Sequence, residues 1–387
     1  MNGMETADVV VVGVGSMGAM ALWRLSAKTD GTGARIIGLD RYGPGHVHGS
    51  FSGESRLFRV AVKEGGIYVP LALEAAALYR ELEREVGREL LLQVGALSIG
   101  PRNFPLMEST REAIAEFGLD HEYLSADELR SRFPQFRVDD GDEGILDPLG
   151  GGIRPEASVV AAAMAAQRKG AEIRWNTPVL SVEPTGDGVV VRTSAGPILA
   201  HRVIIGAGSW TPRLRPDLAA LITVQPIVLT WFMPRDISAH GPESLPVFMR
   251  DLVLGDGQVV HVFGAPSLDG YSVKVSPSRM WPATDDPSRL PTPTHEEMML
   301  IGQQVQMLMP DMHPEPVRCT MHHDGFTPDG TPIIDVDREL GIVTVAGMSG
   351  KGMKFAPVFG DIAAELALGR ESGRVREEFS VGAHLGS

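Results

Sequence analysis

The sequence predicts an α/β protein in which a nucleotide-binding domain is interrupted by a second, α+β domain. Three observations point there. A β-branched apolar strand enters a glycine turn and a helix near the start of the chain, and a second strand ending in an acid follows it. Two more apolar strands with glycine-rich ends recur far downstream, at 201–208 and 342–347. The stretches between, roughly 86–150 and 226–324, are left to build an inserted domain.

Composition narrows the class. A chain of 387 residues suits two or three domains and a sizeable core. Lys and Arg number 35 against 49 Asp and Glu, a net charge of −14 that argues against general affinity for nucleic acid or anionic lipid, although a positive site can sit locally. The hydrophobic share of 43% and charged share of 22% are globular values that exclude disorder, and 45 glycines suggest tight turns or close backbone approach to a ligand. The one cysteine, Cys319, cannot close an intrachain disulfide, and no Cys/His cluster offers a metal site. No basic-then-apolar leader precedes Val9–Val12, and no apolar run nears the roughly 20 residues of a membrane span, so a cytoplasmic protein with no membrane contact is expected.

In chain order, DVVVVGVGSMG (8–18) is a strand entering a turn with Gly13, Gly15 and Gly18, then a helix, then the strand ARIIGLD ending at Asp40. Glycines there allow a tight turn and close approach of a pyrophosphate. The helix start offers unpaired N–H groups and the positive end of its dipole, and the acid can bond a ribose hydroxyl. The ligand class is a dinucleotide. Ser158–Lys169 reads as a helix, Ala171–Trp175 and Gly188–Thr193 as strands, and HRVIIGAGSW (201–210) as a buried strand ending in glycines. The proline-rich 277–294 reads as a surface loop. IVTVAG (342–347) is a buried strand leading through MSGKGMKFAP to a helix from about Val358 to Leu368. The expected division is 1–85, 151–225 and 325–387 for the nucleotide domain, with 86–150 and 226–324 for the other.

Four segments carry a resemblance: VVGVGSMG with Asp40; GSFSGESRLFR (49–59) with YVPLALEAAALYRELE (68–83); GAPSLDGYSVK (264–274); and GIVTVAGMSGKGMKF (341–355). Over most of its length the chain resembles the monomeric sarcosine oxidase and N-methyltryptophan oxidase family of flavoenzymes. That resemblance implies a Rossmann-like FAD-binding domain with an inserted mixed-sheet substrate domain. It implies FAD held by Gly13, Gly15, Ser16, Met17, Gly18, Asp40, Arg41, Ser50, Arg56, Gly206, Gly350, Gly352 and Lys354. Arg56 matches an arginine beside the flavin ring. Arg59 and Lys354 match a pair that holds a substrate carboxylate, a planar fork beside a point charge. Lys274 matches a lysine that promotes reaction of the reduced flavin with oxygen. Lys351 stands where sarcosine oxidases carry a histidine, and Phe263 where they carry an active-site tyrosine.

Further departures matter. A pocket histidine four residues after the lysine is Ser278 here, and another before the arginine pair is Ser52. Family members attach FAD through a cysteine shortly before a Thr-x-Asp segment. Cys319 precedes Thr327 by eight residues, about three more than the family spacing, and Met321 replaces the usual tyrosine, which leaves two readings open: covalent attachment through Cys319, with Arg318 assisting the thiolate, and a buried apolar cysteine with no bond to the cofactor. His322 and His323 read as structural or pocket-lining residues.

The resemblance implies oxidation of the C–N bond of an N-methyl or cyclic amino acid, hydrolysis of the imine, and reduction of molecular oxygen to hydrogen peroxide. The alternatives are an amino-acid dehydrogenase with another acceptor, a natural-product imine oxidase, and a non-catalytic flavin-binding subunit. A monomer acting on a small amino acid is expected. No general base is evident.

Overall fold

The computed structural model describes residues 4–253, 257–278 and 281–386. Its first sheet has eight strands built around Glu5–Val12, which runs parallel to Gly196–Ile205 on one side and Ile36–Leu39 on the other. Glu172–Arg174 lies beyond Ile36–Leu39. Ile342–Ala346 pairs in parallel with the far end of Gly196–Ile205, and Ile333–Asp337 pairs with it in turn. The near end of the same strand continues antiparallel into Gly188–Thr193 and Val179–Thr185.

Central parallel strands are covered on both faces, which is why they read as unbroken Val and Ile rather than alternating with polar residues. Val9 and Val11 face a core built with the helices Ser16–Lys28, Pro155–Arg168 and Gly352–Ala367, while Val10 and Val12 face a second core under the 179–193 hairpin.

Helix Gly352–Ala367 starts six residues before the expected Val358. Pro357 lies inside it and has no N–H for the Met353 carbonyl. The buried hydroxyl of Tyr79 donates to that carbonyl at 2.7 Å, so the proline does not end the helix.

A second eight-stranded sheet takes its strands in the order Arg318–Phe326, Thr223–Phe232, Val273–Pro277, Val259–Ala265, Val247–Val253, Ala96–Pro101, Asp142–Asp147, Glu122–Leu124. It is mixed because Val247–Val253 runs parallel to Ala96–Pro101 while its other pairs are antiparallel. Thr223–Phe232 and Arg318–Phe326 pair antiparallel and run unbroken across positions 225/226 and 324/325, where the sequence suggested a division. One face buries Val228, Phe232, Phe248, Val262, Val273 and Val275 against helix His295–Leu308. The described residues of 277–294 form no regular element after Pro277, and the stretch ends at Thr294, whose capping box with Glu297 starts that helix.

A three-stranded sheet, Arg56–Phe58, Gly151–Ile153 and Leu91–Leu92, seats the arginine segment between the two larger sheets. Among the described residues no helix is long and apolar enough to cross a membrane.

Candidate active site

A cavity of about 730 Å³ runs between the two sheets, from the first glycine turn at one end to Lys274 and Lys354 at the other. Gly13 has φ +87°, and a Cβ on it would fall 2.7 Å from the Gly206 carbonyl oxygen; one on Gly18 would fall 1.7 Å from that of Gly13. These two glycines are required by the turn itself. Gly15 differs: its φ is −80°, and a Cβ would meet only the Phe51 ring, at 3.5 Å. Nothing in the protein demands a bare backbone there, but Gly15, Ser16 and Met17 line the cavity at the start of a helix that has no side-chain cap. A phosphate-bearing ligand fits that arrangement.

Asp40 is buried and lines the same end, where its carboxylate accepts from the N–H groups of Val14 (2.7 Å) and Tyr42 (2.8 Å). It therefore staples the glycine turn to the next strand as well as facing the ligand space. Arg41 is exposed on the rim, and Gly206 packs under Gly13.

At the far end, period-2 alternation on the second sheet sends one row of side chains into the cavity. Lys274, on Val273–Pro277, is 1% exposed and donates to the carbonyls of Gly53 (3.0 Å) and Ser55 (2.7 Å), with the Trp231 ring centre 5.6 Å away. Burial first, and then the neighbouring Arg56, push its pKa well below the usual lysine value. Arg56 donates to the carbonyls of Ser50, Ser52 and Ser55, and burial lowers its pKa against the opposing pull of Glu156 and Asp324. Between them Glu54, at φ +69°, accepts from Trp231 Nε1 (2.6 Å) and Arg318 (2.7 Å), and the Arg318 guanidinium lies 3.8 Å over the Trp231 ring.

Arg59 and Lys354 come together as expected, with a residue between them that the sequence did not announce. Glu64 Oε1 lies 2.8 Å from Lys354 Nζ and 3.6 Å from Arg59 Nη2. Despite burial, the two cations hold the Glu64 carboxyl far below the ordinary range. Burial brings Lys354 down to about 8, with Glu64 opposing the shift. Arg59 Nη1 and Glu64 Oε2 are both buried without a hydrogen-bond partner. Glu64 lies in an irregular loop with no periodic signal, so only its distance in space reveals it.

Lys351 also lines the cavity, but its Nζ donates to the Gly330 carbonyl at 2.7 Å and sits 5.0 Å from the Tyr68 ring centre. Gly350 donates its N–H to Asp324 (2.7 Å), and Gly352 opens the helix, packed against Met348 and Met17. Burial raises the Asp324 carboxyl to about 6. Phe263 lines the wall beside Met249, its cross-strand partner. His322 faces the cavity between Ser52 Oγ (3.1 Å) and Thr320 Oγ1 (2.8 Å), and burial takes its pKa down to about 3. His323 sits between Ser209 Oγ (2.9 Å) and the His48 carbonyl (3.0 Å).

The structure corrects one expectation. Cys319 does not line the cavity: it is half-buried and packs with Met321 against the core on the helix side of the second sheet, on the face opposite Arg318, Thr320 and His322. Burial raises its thiol pKa, and Arg318, the expected activator, is engaged by Glu54. Three extra residues ahead of Thr327 change the strand parity and turn the thiol away.

The model of the FAD dependent oxidoreductase (DAO) family matches residues 8–366. A protein of Streptomyces avermitilis named monomeric sarcosine oxidase is 35% identical over 370 residues, 94% of each chain. An N-methyl-L-tryptophan oxidase of Salmonella typhi is 28% identical over 374 residues, 94% of this chain and 95% of that one. Among solved structures, the open form of NikD, an unusual amino acid oxidase essential for nikkomycin biosynthesis, superposes with a TM-score of 0.83 at 24% identity, covering 97% of this chain and 98% of its own. The chain belongs to the FAD dependent oxidoreductase family and is an FAD-dependent amino-acid oxidoreductase.

Proposed function

We propose that the enzyme oxidises the C–N bond of a secondary amino acid, N-methylated or cyclic, with molecular oxygen as the electron acceptor and hydrogen peroxide as a product. The observation that carries this reading is the buried Arg59, whose Nη1 has no partner, standing with Lys354 in the wall of the cavity that Lys274 closes. A fork and a point charge together suit one carboxylate. The relatives named for sarcosine and N-methyl-L-tryptophan support the secondary amine.

In this reading Gly13, Gly15, Ser16, Met17, Asp40, Arg41 and Gly206, with Gly18 closing the turn beneath them, would hold the ADP half of FAD, and Ser50, Arg56, Gly350 and Gly352 would hold the rest of it. Bound FAD supplies the two-electron acceptor for the substrate and returns those electrons to oxygen. Arg59 and Lys354 fix the carboxylate, so the C–N bond is presented in one orientation, with Phe263 as an apolar wall. Glu64 gives up the two cations as the substrate carboxylate takes its place. Burial and Arg56 weaken the hold of Lys274 on its proton, and negative charge developing nearby, as it does when oxygen is reduced, favours the ammonium and is stabilised by it. The imine product hydrolyses in water to an amine and a carbonyl compound. The division at 1–85, 151–225 and 325–387 against 86–150 and 226–324 then gives the ADP half of FAD to the first part, while the substrate site draws Arg59 and Lys354 from the first part and Phe263 and Lys274 from the second.

The test is an anaerobic titration of the flavin-loaded enzyme with sarcosine, N-methyltryptophan, proline and alanine, followed by admission of oxygen and assay of peroxide. Bleaching by a secondary amine, then peroxide, is expected. Bleaching without peroxide on reoxidation would make the enzyme a dehydrogenase, and bleaching by alanine alone would overturn the secondary-amine assignment. Lys274→Met should slow reoxidation by about 10²-fold while sparing reduction.

A further inference from the structure

The reaction needs the substrate nitrogen as a free amine, yet an amino acid arrives at neutral pH as an ammonium, so a proton must leave. Most cavity-lining imidazoles and carboxylates are already committed. His322 and His323 have both ring nitrogens engaged, His46 Nε2 lies 3.4 Å from Asp40 at the nucleotide end, Glu64 is ion-paired to Lys354 until a substrate carboxylate displaces it, and Asp324 accepts from two backbone N–H groups.

His261 is the exception. It lies on Val259–Ala265 two residues from Phe263, on the same face of the sheet, and lines the cavity. Asp251, directly opposite on Val247–Val253, is buried and hydrogen-bonded to His261 Nδ1. Nε2 has no protein partner among the described residues, and the side chain is 21% exposed. On the other side Ser278 donates its N–H to the His261 carbonyl at 2.9 Å. Ser278 lines the cavity beside His261 and brings no ionisable group to it. Lys63 is within electrostatic reach of Asp251 and of the Arg59–Glu64 pair, which ties the His261 row to the carboxylate-binding end of the cavity.

We propose that His261, oriented by Asp251, is the proton acceptor for the substrate ammonium. The inference rests on the amine-oxidation reading above. A carboxylate at Nδ1 holds that nitrogen as the N–H donor and leaves the lone pair on Nε2. The ammonium N–H bond breaks as an Nε2–H bond forms, no electrons leave the nitrogen in this step, and the imidazole later passes its proton to water. The charged partner of the imidazole is Asp251 on the adjacent strand, and Lys63, from the 59–65 loop, is within electrostatic reach of Asp251; Ser278, one residue past the end of the strand on the other side, is neutral.

The flavin-loaded enzyme and its His261→Gln and Asp251→Asn variants are compared by stopped-flow anaerobic reduction across pH with the panel above. His261→Gln should slow reduction by about 10²-fold at neutral pH. The deficit should shrink as the pH rises toward the ionisation of the substrate's own amine, because the amine then arrives already deprotonated. Asp251→Asn should lose less in the same direction, and reoxidation by oxygen should be unchanged in both variants. A deficit that persists at high pH, or no deficit, overturns the proposal. Independently of turnover, nitrogen NMR of the histidine-labelled holoenzyme, assigned with His261→Gln, should find Nδ1 protonated and Nε2 bare; the opposite tautomer overturns it. If none of the amines bleaches the wild-type flavin, the amine-oxidation reading fails by itself, and the tautomer still decides whether the dyad exists.

Discussion

Glu64 shows how one side chain can set stability against binding. It lies between Arg59 and Lys354, all three nearly buried, so each charge offsets the desolvation of the others. Its carboxyl stays ionised in the folded protein far below the pH at which an unfolded glutamate takes up a proton. The unfolded state therefore binds the extra proton in acid, and this contribution to stability, complete above the ordinary carboxylate range, is lost progressively as the pH falls from that range toward the far lower value of the folded protein. Glu64→Gln leaves two buried cations with a neutral partner and should cost about 3 kcal/mol by chemical denaturation at neutral pH, with a flatter dependence below pH ~4.5. The same variant should bind a substrate carboxylate more tightly, since nothing competes for the cations. A loss of both stability and affinity would mean that Glu64 is not the group the substrate displaces.

At the level of elements, the first glycine turn separates fold from function. Gly18→Ala places a Cβ 1.7 Å from the Gly13 carbonyl oxygen and must break the contact between strand and helix, so little folded protein should be recovered. Gly15→Ala meets only the Phe51 ring at ordinary van der Waals distance. It should fold with a melting temperature near that of the wild-type apoprotein yet take up FAD at least tenfold more weakly, measured by flavin fluorescence quenching. The pattern G-x-G-x-x-G identifies both positions, but only the packing around each shows what a side chain would strike. Helix Gly352–Ala367 makes a similar point. From sequence the helix should begin after Pro357, and it begins a turn and a half earlier because Tyr79, 278 positions before the proline, satisfies the carbonyl that the proline cannot.

For the whole molecule, the cavity lies where the two large sheets face each other, and the second sheet decides what enters it by the parity of its strands. Lys274, Phe263, His261 and His322 point in, and Cys319 points to the helix-side core. With the only cysteine turned away, FAD should be held noncovalently. Acid or guanidinium precipitation should leave the yellow colour in the supernatant, and the intact mass of the denatured chain should lack the flavin; a flavin-bearing chain would place the thiol at the ring after all. Because FAD is a ligand of the folded state, loaded protein should also be more stable than apoprotein, by about 2.7 kcal/mol when free FAD stands at 100 times its dissociation constant.

By itself the sequence determined the α/β class, the dinucleotide turn and the identity of the cationic residues, because these depend on local pattern: continuous Val and Ile in a strand covered on both faces, glycines at a turn, and short segments with strong family character. The tertiary structure alone decided the partners. Glu64 meets Lys354 across 290 positions, Asp251 meets His261 across a strand pair, and Cys319 falls on the wrong face through a shift of three residues. Such relations depend on register and on loops closing over long distances, where one residue's shift exchanges the two faces of a strand.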